Sequence, residues 1–256
     1  MKVEASLEAN RQASPKTNDG LSYESRSMQP LVAMRAMKKL LKDPEATEQV
    51  FVIIRALSGD VIERGYRRFL LTPKAGQILR APTSLLSVLS DRDALRQMPD
   101  GSLGRAYLGF MERGNITAEG LKDASETEEQ VALTGDTGIE TYALRLRDQH
   151  DLWHVVTGFG RDLAGEACLL AFTYAQTKNR GIGFIAFMAA LKLRKVFGSR
   201  VISSMWQAYQ MGRRTLWMPG QHWEVLLAKP LVQVRIELGV SEPDRYQSLP
   251  LELVMG

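Results

Sequence analysis

HDLWHVVTGFGRDLAGE, residues 150–166, reads as a helical turn, a glycine-rich break and the start of a second helix. It holds two of the chain's three histidines, with Asp151 beside the first and Glu166 at the far end. On a helix turning ~100° per residue, His150 and His154 fall ~40° apart with Asp151 alongside, so these side chains can converge on one ion. Glu166 is different. On one straight helix it would lie ~24 Å from His150, too far to join them. Gly158 and Gly160 resolve the difficulty if the chain folds back there, because the second helix then carries Glu166 over the first.

Two imidazoles with one or two carboxylates suit zinc, iron, manganese or cobalt, and leave positions for water or substrate. Such a set is catalytic rather than structural in type. It is not the metalloprotease pattern HExxH, because an aspartate stands where that motif places its glutamate base. The competing reading makes both histidines ordinary core or surface side chains and Glu166 a solvated helix residue. A divalent metal ion held by His150, Asp151, His154 and Glu166 is the expectation carried forward. Arg147, three residues before His150, shares its face and is the candidate to pair with a substrate carboxylate or phosphate. Arg145 is less favourably placed.

Outward from this stretch, helical spacing dominates. Residues 31–41 and 47–57 form two apolar-periodic helices, the second ended by Gly59. Residues 62–79 are basic and amphipathic, and residues 89–114 read as short helix, PDG turn and helix. Glu126, Glu128 and Glu129 mark a solvated loop or helix start. Further helices are expected over 141–156, 163–177 and 182–197, and a last one over 223–240 that tolerates Pro230 near a kink. Few stretches alternate with period two. The expected fold is mainly α, one helical domain over 31–256 behind a flexible tail, 1–30, with the metal site on a helix–glycine hinge–helix unit.

The totals agree with a packed domain. Of 256 residues, 45% are hydrophobic, enough to build a core. The net charge of +4 is too small to imply nucleic acid, and no basic stripe interleaved with aromatics is present. The lone Cys168 rules out an intrachain disulfide and any thiolate cluster built from this chain alone. No apolar run reaches the ~18 residues needed to span a bilayer, since Lys178 and Arg180 interrupt the best candidate. Residues 1–30 lack the features of a signal or transit peptide.

RLRDQHDLWHVVTG followed by LAGE is similar to the HDxxH, eleven residues, Glu signature of the fourth-named coenzyme Q (ubiquinone) biosynthesis protein family. MPDGSLGRAYLGFM (98–111), FTYAQT (172–177) and QMGRRTLWMPGQHWEVLLAKPLVQVRIELGV (210–240) extend the resemblance over about residues 30–240. Leu146 departs from the family's tyrosine between two arginines, and the stretch before Trp-Glu is shortened. The resemblance implies His150, Asp151, His154 and Glu166 as zinc ligands, in a helical and often dimeric protein. It further implies peripheral membrane association within an assembly of coenzyme Q biosynthesis enzymes. The expected localisation is cytoplasmic, on the inner face of the cytoplasmic membrane.

The activity so implied is removal of the C1 carboxyl of a polyprenylated hydroxybenzoate, with installation of oxygen there. The alternative is a non-catalytic prenyl-lipid-binding scaffold. A metal-dependent hydrolase would rest on the ligand set alone and lacks a separate base, His222 sitting in a PGQHWE turn. Leu169, Phe172, Ile182, Phe184, Ile185, Phe187 and Met188 are candidates to line an isoprenoid groove or to be core. Lys192, Arg194 and Lys195 could rest on anionic headgroups.

Overall fold

A computed structural model describes residues 28–42, 48–114 and 137–249. Pro30 opens α1 (Pro30–Lys42), a position where its missing N–H costs nothing. α2 (Glu48–Ser58) packs between α1 and the long α11 (Arg180–Phe197), in a cluster that includes Ala33, Ala36, Met37, Ile53, Ala56 and Ile185. Gly181 permits that approach, because a Cβ there would lie 2.5 Å from the Ile54 Cα. The short helices α3 (Val61–Leu70), α4 (Ala75–Leu79), α5 (Leu85–Ser90) and α6 (Arg92–Gln97) lead to α7 (Leu103–Arg113). Ser84, Asp91 and Ser102 cap α5, α6 and α7 with side-chain oxygens.

The main core is built where α7, α9 (His150–Thr157), α10 (Leu163–Thr177) and α12 (Ser199–Arg214) meet, around Tyr107, Leu152, Trp153, Phe172, Met205 and Trp223. No strand occurs among the described residues; one bridge pairs Ser102 with Pro230. The helical expectation therefore holds. The acidic cluster at 126–129 and most of the expected tail lie outside the described residues.

Two boundaries differ from the sequence reading. The expected helix over 141–156 is divided into α8 (Gly138–Asp148) and α9, with Gln149 between them at φ −81°, ψ −2°. Gln149 is buried and its Oε1 accepts from the Trp223 indole, so tertiary bonding takes over where the helix steps. The expected last helix, 223–240, is also divided, into α13 (Trp223–Leu226) and α14 (Leu231–Leu238), followed by α15 (Asp244–Gln247). Pro230 does not sit in a kink; it precedes α14 with extended ψ of 132°. The carbonyls freed there have partners: Lys229 O and Leu227 O accept from the Leu103 and Gly104 N–H groups at the start of α7, each at 2.8 Å.

The glycine break does reverse the chain. Gly158 ends α9 in the left-handed region, φ +78°, and Asp162 caps α10 by accepting from Ala164 N and Gly165 N at 3.0 Å. Gly165 lies against the hinge so closely that a Cβ would sit 2.1 Å from Gly160 O. Gly165→Ala is thus expected to cost about 2–3 kcal/mol, because backbone must move. Gly109→Ala in α7, where the nearest atom is the mobile Arg113 guanidinium at 3.4 Å, should instead gain about 0.5–1 kcal/mol. Urea unfolding of both variants would check this, and equal costs would contradict the packing account.

Candidate metal centre

α9 carries His150, Asp151 and His154, whose potential ligand atoms all lie within 4.8 Å of one another. The two imidazole rings are 4.9 Å apart at 40°. The reversal brings Glu166, on the first turn of α10, to 3.3 Å between its Oε1 and His154 Nε2. Glu166 therefore reaches one histidine of the cluster while standing outside the 4.8 Å group.

The histidine tautomer follows from the hydrogen bonds. His154 Nδ1 lies 3.1 Å from the Phe159 carbonyl, which can only accept, so Nδ1 carries the proton. With Nδ1 carrying a proton, Nε2 faces the Glu166 carboxylate at 3.3 Å, a contact that either a second ring proton or a bound cation makes attractive. This is the orientation of a metal-ligating imidazole held from behind by a carbonyl, and the donor set fits a divalent ion.

His154 is buried, Asp151 half-buried and His150 exposed. The protein around the His150 ring desolvates it even so. That desolvation, and next the neighbouring His154, draw its pKa below the ordinary imidazole value, against the opposing pull of Asp151 and Glu166. A neutral ring is the metal-binding form. Cys168 is buried and is not among the side chains gathered within 4.8 Å, so the ligands available here are nitrogen and oxygen.

The surroundings fix the hinge. Arg235 of α14 donates from Nε to Val156 O at 2.9 Å and from Nη2 to Val155 O at 3.2 Å, satisfying carbonyls at the end of α9. Tyr246 donates to Asp162 Oδ2 and accepts from Gly160 N at 2.9 Å. Burial and Asp162 together raise the Tyr246 pKa. Tyr246→Phe is expected to cost about 1–2 kcal/mol, by removing a hydrogen bond to a charged group and leaving Gly160 N unmatched. Thermal unfolding checks it, and an unchanged midpoint would show the hinge is held by packing alone.

Arg147, expected at the site, donates from Nε to Asp148 Oδ1 at 2.8 Å. Asp148 is a nearly buried carboxylate whose pKa burial raises even so. Arg145, read as the lesser arginine, is buried and forms a two-pronged ion pair with Glu224 of α13. Sequence reasoning passed over Arg161 altogether: its guanidinium lies 4.1 Å above the Phe110 ring, and Phe110 stacks on His154 at 5.5 Å. Of the candidate groove residues, Leu169, Phe172 and Ile185 are core, Ile182, Phe184 and Met188 are half-buried, and Phe187 is exposed. No helix among the described residues is long and apolar enough to cross a membrane.

Fold and site together define an all-helical protein with a histidine–carboxylate cluster held on a helix, a reversing glycine hinge and a second helix. Residues 24–244 match the family model described as coenzyme Q (ubiquinone) biosynthesis protein Coq4, and the chain belongs to that family.

The chain is 28% identical over 188 residues to the mitochondrial ubiquinone biosynthesis protein COQ4 of Yarrowia lipolytica, covering 73% of this chain and 69% of that protein. The Scheffersomyces stipitis counterpart is 24% identical over 193 residues, 75% of this chain and 58% of its own length, so the chain spans less than two thirds of that relative. A crystal structure of a Nostoc punctiforme protein ascribed to ubiquinone biosynthesis shares the fold, with a TM-score of 0.60 at 20% identity over 84% of this chain and all of the other.

Proposed function

We propose that the chain serves ubiquinone biosynthesis as a metal-dependent enzyme that removes the C1 carboxyl of a polyprenylated hydroxybenzoate and places a hydroxyl there. The observation that carries this is the gathering of His150, Asp151 and His154 within 4.8 Å with Glu166 Oε1 3.3 Å from His154 Nε2, a donor set suited to a divalent ion. His150, Asp151, His154 and Glu166 would hold the ion. When bound, it supplies Lewis-acid charge beside the ring carboxylate and, if it is iron, manganese or cobalt rather than zinc, a redox partner for dioxygen.

The overall change balances as aromatic acid, dioxygen, two electrons and two protons giving phenol, carbon dioxide and water. The electrons must come from an external two-electron donor. The chain's own part is positional: Phe159 O fixes the His154 tautomer, Arg235 and Tyr246 hold the hinge, and Phe110 stacks on His154 from the α7 side. Low dielectric on that side strengthens charge interactions with a carboxylate.

Membrane placement is peripheral in this reading, and the protein works as a homodimer among other coenzyme Q biosynthesis enzymes. Exposed Phe187, Leu191 and Val196 share α11 with exposed Lys192, Arg194 and Lys195, a combination that suits an anionic bilayer surface. The deciding experiment incubates metal-loaded protein with a prenylated hydroxybenzoate, dioxygen and a reductant. The expected result is the C1-hydroxylated, decarboxylated product. Tight binding of the prenyl lipid without product, for every metal tried, would overturn catalysis in favour of a scaffold.

A further inference from the structure

Arg161 is the one hinge side chain whose charge is incompletely answered. Its Nη2 lies 3.7 Å from Asp151 Oδ1, beyond hydrogen-bond reach, and 3.0 Å from the Met111 sulfur, a weak acceptor. Its Nη1 is buried with no hydrogen-bond partner. Stacking on Phe110 holds the guanidinium plane in place, and Phe110 in turn stacks on His154. Asp151 is thus Arg161's nearest counter-charge, and Asp151 is also a member of the candidate metal cluster.

A divalent ion taken up by His150, Asp151 and His154 would claim that carboxylate's charge and set a like charge beside the guanidinium. An anion arriving next to both cations relieves the repulsion, and a planar carboxylate matches the fork of guanidinium donors. We infer that Arg161 is a positioning residue that receives the carboxylate of an aromatic acid when the neighbouring cluster holds its cation, so that anion and cation bind cooperatively. Arg147 is less suited to this role, because Asp148 already occupies its Nε and Nη2. The inference rests on the metal-centre reading above and adds to it the residue that selects an acid over its neutral analogues.

The test titrates zinc into the metal-free full chain, with and without excess 4-hydroxybenzoate as the soluble probe, and reads zinc affinity by calorimetry. The expected result is at least a fivefold gain in zinc affinity with the acid, within the usual range of such couplings, and none with neutral 4-hydroxybenzamide. Arg161→Gln should still bind zinc but lose the gain to within twofold of unity. Arg161→Lys, which keeps the charge without the planar fork, should retain part of it, and Arg147→Gln should retain all. No gain in the unaltered protein, or a full gain in Arg161→Gln, would overturn the assignment. Failure of the unaltered protein to bind zinc at all would overturn the metal-centre reading itself, and this inference with it.

Discussion

Glu224→Ala is expected to lower the unfolding free energy by about 3–5 kcal/mol, the cost of leaving one member of a buried ion pair alone. Arg145 and Glu224 side chains are 7% and 17% exposed, and two guanidinium nitrogens meet the two carboxylate oxygens, so solvent does little to replace a lost partner. Against the ~5–15 kcal/mol typical of a whole domain, such a loss is large. Burial alone would raise the Glu224 pKa, but the hydrogen bonds and charge of Arg145 outweigh it and the carboxyl is held below its ordinary range. A carboxyl depressed in the folded state adds stability above its unfolded pKa, and that stability is lost as pH falls through the folded value. Urea unfolding from neutral to acid pH should therefore show an acid limb that shrinks in Glu224→Gln. The double variant Arg145→Met, Glu224→Leu should cost much less than either single loss, since no charge is stranded. Equal costs would mean the pair is not the connection between α8 and α13 that its geometry describes.

His154→Ala has the larger expected effect on function. Loss of an outer-shell partner to a ligating histidine alone weakens metal binding about 10–100-fold, so loss of the ligand should exceed about a hundredfold and abolish turnover. The fold also suffers, because Phe159 O loses its donor and a buried ring becomes a void, together about 2–3 kcal/mol. Asp151→Ala separates the two effects. Asp151 is about a quarter exposed and does not pack in the core, so the fold loses only the counter-charge of Arg161, about 1–2 kcal/mol, while metal affinity falls. Metal content after dialysis, read beside thermal unfolding, checks both variants. Full metal retention by either would remove that residue from the site.

Much of this arrangement was legible in residues 150–166. The apolar spacing marked helices on both sides, and Gly158 and Gly160 marked the reversal that delivers Glu166 to His154. Helix geometry alone placed the two histidines side by side. What it did not disclose is long-range. The step at Gln149 depends on a Trp223 indole 74 residues away, and the division at Pro230 depends on α7 supplying N–H groups to the carbonyls before it.

Arg145 carried a readable signal: it extends the buried face of Ile139 and Tyr142 at helical spacing, where an arginine needs a carboxylate. Its partner could not be found without the fold. Arg161 had no such signal, because its place over Phe110 comes from the turn of the hinge rather than from any periodicity. The candidate groove was illegible for a different reason: apolar residues on α10 and α11 look alike in sequence whether they line a lipid path or, as Leu169, Phe172 and Ile185 do, fill a core.

The central claim is that α9 and the start of α10 form one metal centre, and X-ray absorption on zinc-loaded protein tests it most directly. The account predicts a first shell with two imidazole nitrogens at about 2.0–2.1 Å and carboxylate or water oxygens at about 2.0–2.2 Å, falling to one imidazole in His150→Ala. A shell with one imidazole or none in the unaltered protein, or one containing sulfur, would contradict it.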